Sequence, residues 1–122
     1  MLQRAEKQPE LKVVNDEILS PTYTLDLARQ IYKLIQTEQY GLYHAVSHGG
    51  CSWYAFAVKI FELLGRKVII KPTTAVEFKA KAKRPGYSVM KNERLQHLGL
   101  DIMRPWSEAL RAYLLEKGYL KN

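Results

Sequence analysis

A single cysteine, Cys51, stands in this sequence. That excludes an internal disulfide and a zinc site built on cysteines, and it fits a reducing cytoplasm. No window approaches the ~18 apolar residues that a membrane span needs. The opening residues, Met1 to Lys7, are charged and carry no apolar stretch of the secretion-signal kind. There is no Gly-x-Gly-x-x-Gly and no Walker lysine. His44, His48 and His97 have no metal-ligand spacing, and no Cys, Asp or Glu cluster joins them. Internal repeats and low-complexity linkers are absent.

What is present fits an ordinary globular chain. Its 122 residues make one domain or one lobe, and hydrophobic residues at 47% beside charged residues at 25% argue against disorder. A chain of this length buries about two-thirds of its unfolded surface. The net charge of +7 points to an anionic partner: nucleic acid, membrane or a pyrophosphate. The charges are spread along the chain, which favours a solvated basic surface over nucleic acid. The one cluster, Lys79, Lys81, Lys83 and Arg84, suits a single diphosphate.

Residues 13–28 read as strand, sharp loop, helix. Val13 and Val14 are β-branched and suit a pleated strand, which begins at Leu11. Asn15 and Asp16 cap turns, and Pro21 keeps Ser20 out of the helical region. Thr22 or Thr24 caps the next helix, with Asp26 in its first turn. Leu25, Ala28, Ile31, Tyr32 and Ile35 recur at helical spacing and predict its buried face, with Arg29, Lys33 and Gln36 opposite.

Further along, residues 42–46 predict a second strand, buried on both faces. Ser52 is a natural N-cap for a helix carrying Trp53, Phe56, Ala57, Ile60, Phe61 and Leu64 on one side, stopped at Gly65. The Gly49-Gly50 loop before it reads as a tight turn rather than a phosphate cradle. Residues 67–71 predict a third strand closed by Pro72, and Thr74 with Glu77 fits a capping box for a short helix. Residues 87–90 read as extended. Asn92 caps a helix through Leu98, and Pro105 opens a last helix with Trp106, Ala109, Leu110, Tyr113 and Leu114 on its apolar face. Residues 2–8 look like the closing turns of a helix that begins upstream.

Four motifs in register carry a resemblance: the 13–28 stretch, Gly41-Leu42-Tyr43-His44, Cys51-Ser52-Trp53-Tyr54-Ala55-Phe56-Ala57 and Arg84-Pro85-Gly86-Tyr87-Ser88. Together they closely resemble the C-terminal part of dTDP-4-dehydrorhamnose reductases, members of the extended short-chain dehydrogenase/reductase superfamily. The resemblance runs over nearly the whole chain. It implies an α/β, α+β-like fragment: few short strands with about four helices, forming a substrate-binding lobe that lacks most of the Rossmann sheet. Met1 is then either an internal methionine of a longer ancestral frame or an expression start. The complete family enzyme transfers hydride from NADPH or NADH to the 4-keto group of a dTDP-hexulose, yielding dTDP-L-rhamnose for polysaccharide. Family members carry prolines where this chain has lysines and alanines at 79–83.

Reductases of this superfamily use a tyrosine and a lysine four residues later, the tyrosine donating a proton. That spacing occurs here as Tyr87–Lys91 and Tyr113–Lys117. The first lies in extended chain, where four-residue spacing does not share a face. The second places its tyrosine on an apolar stripe. The family's own pair and its glycine-rich loop lie upstream of these 122 residues. The expectation is therefore no bound NADPH or NADH and no reductase activity from this chain alone. Partners are a dTDP-sugar, a separately encoded dinucleotide-binding half, or a second copy joined through exposed strand edges.

Arg84 is the leading binding candidate. The resemblance implies contact with a nucleotide-sugar diphosphate, and a guanidinium offers phosphate a planar, permanently charged fork. A surface charge before a proline is the competing reading. Ser88, Asn15 and Asp16 are further substrate-binding candidates, each with turn capping as the alternative. Cys51, near His48, is read as a packed small residue rather than a nucleophile.

Overall fold

Strand β1 (Glu10–Val14) buries Leu11 and Val14 and leaves Lys12 in solvent. It pairs in parallel with β4 (Ile69–Thr73), Glu10 facing Ile69 and Val14 facing Thr73. The structure is a computed structural model that describes residues 1–79 and 82–121. A parallel pair needs a long crossover, and here it carries two helices, α2 (Thr24–Ile35) and α3 (Trp53–Leu63). The third predicted strand starts two residues later than expected and runs through Pro72 to Thr73. In a two-stranded sheet β4 has an outer edge, and an edge tolerates a residue that cannot donate.

A second, antiparallel pair was not visible in the sequence. β2 (Ile18–Leu19) pairs with β3 (Cys51–Ser52), Ile18 facing Ser52. These strands are two residues each, too short for any alternation to register.

Ser52 caps α3 as expected, its hydroxyl accepting the Ala55 amide at 3.0 Å. Ile60 on α3 meets Leu110 and Leu114 on α5 (Trp106–Glu116), and this trio is the buried centre of the fold. Leu2 of α1 (Leu2–Ala5), Phe56, Trp106 and Leu120 close around it. Burial stabilises each of the three central side chains by roughly 1.5–3 kcal/mol. Pro105 stands at the cap of α5, one residue ahead of the expected first helical position.

Four local expectations are corrected. The apolar side of α2 faces away from the core: Asp26 and Gln30 are its buried residues, while Ile31, Tyr32 and Ile35 are exposed. Neither Thr22 nor Thr24 caps it; the cap position is Tyr23, and Thr22 Oγ1 instead accepts the Ser47 amide at 3.3 Å. Residues 42–46 belong to no strand, and no neighbouring strand pairs with them among the described residues. Thr74 and Glu77 do form a reciprocal capping box, Glu77 N–H donating to Thr74 Oγ1 at 3.1 Å. It starts only a turn, because Lys79 adopts φ +51°, where a helix of L-residues cannot continue.

Asn92 occupies the cap of α4 (Glu93–His97), as expected, but its side chain does not cap it. The amide instead binds Val46, accepting its N–H at 2.9 Å and donating to its C=O at 2.8 Å. Arg94 ties down the turn before it, donating to Tyr40 O at 2.7 Å and lying 4.6 Å from the Tyr43 ring centre. Its guanidinium fills the space a Cβ at Gly41 would take, which explains glycine there.

Candidate functional site

Ile18 is the hinge on which the site is assembled. Its N–H donates to Gly86 O and its C=O accepts the Ser88 N–H, both at 2.8 Å. With β3 on its other side, Ile18 thus fastens the Arg84-to-Ser88 segment to the end of β1 and the start of α3. The extended character expected of residues 87–90 is what makes this parallel bridge possible.

The product is a cavity of about 220 Å³ with Arg84 on its wall. Leu11 and Val14 of β1 form an apolar floor, and Trp53 at the first position of α3 and Phe78 contribute aromatic faces. Arg4 and Lys12 add two further cations. Glu17, 93% withdrawn from solvent, lines the same space and makes no hydrogen bond among the described residues. Aromatic planes receive a ring, cations receive phosphate, and a buried carboxylate receives a hydroxyl or N–H donor.

The other candidates are placed elsewhere. Asn15 accepts the Ser52 hydroxyl on Oδ1 at 2.7 Å, locking the strand end to the α3 cap. Asp16 Oδ1 accepts the Ala75 amide at 2.9 Å. Both line a separate shallow depression with Thr73, Thr74 and Glu77, away from the Arg84 cavity. Ser88 Oγ donates to Ile18 O at 3.3 Å, so it supports the hinge. Of the lysine cluster, Lys81 lies outside the described residues, and Lys79 and Lys83 do not line the cavity.

Neither tyrosine–lysine spacing forms a working pair. Tyr87 is exposed on the bridge segment. Tyr113 stacks edge-on against Tyr23, ring centres 5.7 Å apart, while the Lys117 ammonium is held by Glu116 at 3.0 Å. Burial pushes the Cys51 thiol up to about 11, so it is protonated at neutral pH. His48 Nε2 sits 3.2 Å from Asp101 Oδ2 rather than on Cys51. Among the described residues, no three His, Cys, Asp or Glu side chains gather as a metal site.

A Cβ at Gly50 would meet Val89 Cγ2 at 2.4 Å, which explains glycine there, and the Ala55 amide of α3 is taken by the Ser52 hydroxyl.

Sequence reasoning named Arg84, which lines this cavity, did not single out Glu17, and read Trp53 as part of an apolar helix stripe. Their signal was positional: Glu17 follows the Asn15-Asp16 turn, and Trp53 begins a helix whose first turn faces the cavity.

Fold and cavity together define a small α/β unit with a cavity lined by cations and aromatic side chains. The chain belongs to the RmlD substrate binding domain family, whose model matches residues 1–118. It is 44% identical over 117 residues to the spore coat polysaccharide biosynthesis protein SpsK of Bacillus subtilis, covering 96% of this chain and 41% of that protein. It is 38% identical over 104 residues to the dTDP-4-dehydrorhamnose reductase of Streptomyces griseus, covering 80% of this chain and 34% of that one. A solved dTDP-4-dehydrorhamnose reductase ortholog from Clostridium acetobutylicum superposes with a TM-score of 0.91 at 44% identity, over 96% of this chain and 42% of its own. The Bacillus anthracis reductase, solved in complex with NADP, gives 0.86 at 40% identity, over 94% and 40%. The chain thus spans about two-fifths of the length of these relatives and corresponds to their C-terminal part. Its five helices and few short strands are the mixed α/β arrangement of that part of an extended short-chain dehydrogenase/reductase, among the described residues.

Proposed function

We propose that the 122 residues act as one lobe that binds a dTDP-sugar in the Arg84 cavity, as the substrate-binding part of a dTDP-4-dehydrorhamnose-reductase-type enzyme. The observation that carries this is the convergence of Arg84, Arg4 and Lys12 with Trp53 and Phe78 on one cavity. Arg84 grips the diphosphate through a charge-assisted fork, the aromatic faces hold a ring, and Glu17 accepts from a hydroxyl or ring N–H of the ligand.

The chain by itself binds no NADPH or NADH and reduces no ketone. The sequence carries no Gly-x-Gly-x-x-Gly for a dinucleotide, and its two tyrosine–lysine spacings, Tyr87–Lys91 and Tyr113–Lys117, do not line the Arg84 cavity. The hydride donor and the proton-donating tyrosine come from a dinucleotide-binding part outside these residues. The site is cytoplasmic in this reading, where nucleotide sugars are made; no helix among the described residues is long and apolar enough to cross a membrane.

Calorimetric titration with dTDP tests the reading. Wild-type chain binds, and Arg84→Ala weakens binding about tenfold, the low end for a hydrogen bond to a charged group. Arg84→Lys recovers only part, since an ammonium cannot fork. Absence of binding, or an Arg84→Ala variant that binds as well as wild type, defeats the proposal. Turnover of the keto sugar with NADPH by this polypeptide alone defeats its second half.

A further inference from the structure

Two neighbouring residues stand behind the Arg84 cavity rather than in it. Asn15 and Asp16 follow the last residue of β1, and neither lines that cavity. Both are exposed positions. Each is bonded to a segment that carries one of the cavity's aromatic side chains. Asn15 Oδ1 accepts the Ser52 hydroxyl at 2.7 Å, and the same hydroxyl oxygen accepts the Ala55 amide at 3.0 Å. Trp53 is the residue after Ser52 and the first of α3, so this pair of bonds fixes the backbone from which its ring projects.

Asp16 Oδ1 accepts the Ala75 amide at 2.9 Å, from 59 residues away in sequence. Ala75 lies in the turn that leads to Phe78. Glu77 ties the start of that turn, accepting the Thr73 hydroxyl at 2.9 Å and the Thr74 amide at 3.4 Å. Phe78 N–H closes it on Thr74 O at 3.0 Å. Phe78 is 46% exposed, so packing covers barely half of it and its aim is set largely by the backbone. That backbone is not relaxed. Lys79, next in the chain, has φ +51°, a left-handed conformation that an L-residue keeps only where its surroundings impose it.

We infer that Asn15 and Asp16 are positioning residues for the ring of a bound nucleotide. Side by side at the end of β1, they set Trp53 and Phe78, which receive the base, while Arg84 takes the diphosphate independently. This use of the pair rests on the reading that a dTDP-sugar occupies the Arg84 cavity. Aromatic faces held in place before the ligand arrives lose less freedom on binding, so a wall that swings free binds the base more weakly. Both residues act as hydrogen-bond acceptors rather than as charges, and one Oδ1 is all that each role needs.

Calorimetric titration of the full chain with dTDP and, separately, with inorganic pyrophosphate tests this. Phe78→Ala and Asp16→Ala each weaken dTDP binding about fivefold, the low end for a stacked base. Asp16→Asn keeps the acceptor and drops the charge, and it binds dTDP as wild type does. Pyrophosphate binds Asp16→Ala and Asp16→Asn equally. Asn15→Ala against Asn15→Asp repeats the contrast for Trp53. In a Phe78→Ala background Asp16→Ala costs nothing more, because the ring it aims is gone. Hydrogen exchange supplies an arm without ligand: the Phe78 amide exchanges faster in Asp16→Ala but not in Asp16→Asn, while the amides of α3 stay as protected as in wild type. Three results overturn the inference: Asp16→Ala binding dTDP as tightly as Asp16→Asn, pyrophosphate losing as much as dTDP, or additive losses from Asp16→Ala and Phe78→Ala. Wild-type chain that binds neither dTDP nor pyrophosphate defeats the proposed function and this role with it. Binding of dTDP that ignores Asn15 and Asp16 defeats this role alone.

Discussion

Asn92 pairs with Val46 as a neighbouring strand would, giving it one donor and one acceptor from a side-chain amide 1% exposed. The same amide reaches Asp101 Oδ1 at 3.4 Å. A single side chain thereby satisfies both backbone groups of a buried residue that lies outside any strand.

Asn92→Leu should leave the Val46 N–H and C=O buried and unpaired, costing about 3 kcal/mol by the usual penalty for such groups. Asn92→Asp should also destabilise, since it cannot donate to Val46 and brings a second carboxylate to Asp101. Urea denaturation midpoints check both. An Asn92→Leu variant as stable as wild type would show that the pairing contributes nothing.

Asp26 and Arg104 form a bidentate pair, Nε to Oδ2 at 3.0 Å and Nη2 to Oδ1 at 2.5 Å. Asp26 raises the Arg104 pKa through this hydrogen bond. The carboxylate side chain is 5% exposed and the guanidinium 36%. The two single variants are therefore unequal. Arg104→Met leaves a buried anion and should cost about 2–3 kcal/mol; Asp26→Asn leaves a cation that water reaches, and should cost about 1 kcal/mol. Chemical denaturation of both variants reads the order, and a reversal refutes the assignment.

Cys51 should alkylate slowly. Its thiol is raised from 9.0 to about 11 by burial, so its thiolate fraction at pH 8 is about 100-fold below that of an unshifted thiol. Iodoacetamide kinetics against the urea-unfolded chain measure the ratio. Equal rates at pH 8 would show that the thiol is accessible and unshifted.

Glu77 accepts the Thr73 hydroxyl at 2.9 Å and the Thr74 amide at 3.4 Å, and the first of these, then the second, lowers its pKa. The folded chain therefore favours the charged carboxylate. Its contribution is present above the ordinary carboxylate range and fades as pH falls through the lowered value. The group is on the surface, so the effect is local: the protection factor of the Thr74 amide, its rate relative to the unstructured rate at the same pH, should fall as pH drops through the lowered value, and Glu77→Gln should remove that acid sensitivity. A Thr74 amide indifferent to Glu77→Gln would contradict the capping box.

Some of this was legible in residues alone. Ser52 ahead of a stripe of Trp53, Phe56, Ala57, Ile60 and Phe61 specifies α3, because cap and periodicity are both local. The α5 stripe is legible for the same reason, and Leu110 and Leu114 are buried as the spacing requires. Arg84, set before Pro85-Gly86 and next to lysines, was legible as a binding candidate, and the structure places it on the cavity wall. Glu17's place after the Asn15-Asp16 turn was legible but its burial was not, since that depends on Trp53, β1 and the bridge at Ile18 meeting from distant parts of the chain.

The sequence by itself determined which residues of each helix form an apolar stripe, where α3 and α5 begin, and which family the chain resembles. Only the tertiary structure decided which way those stripes face. Periodicity names the apolar side of α2 but carries no information about whether anything covers it. Gln30 and Asp26 find partners at residues 100–104, and Ile31, Tyr32 and Ile35 are left outside. The same holds for residues 42–46, whose β-propensity is local but whose strand would need a neighbour to pair with.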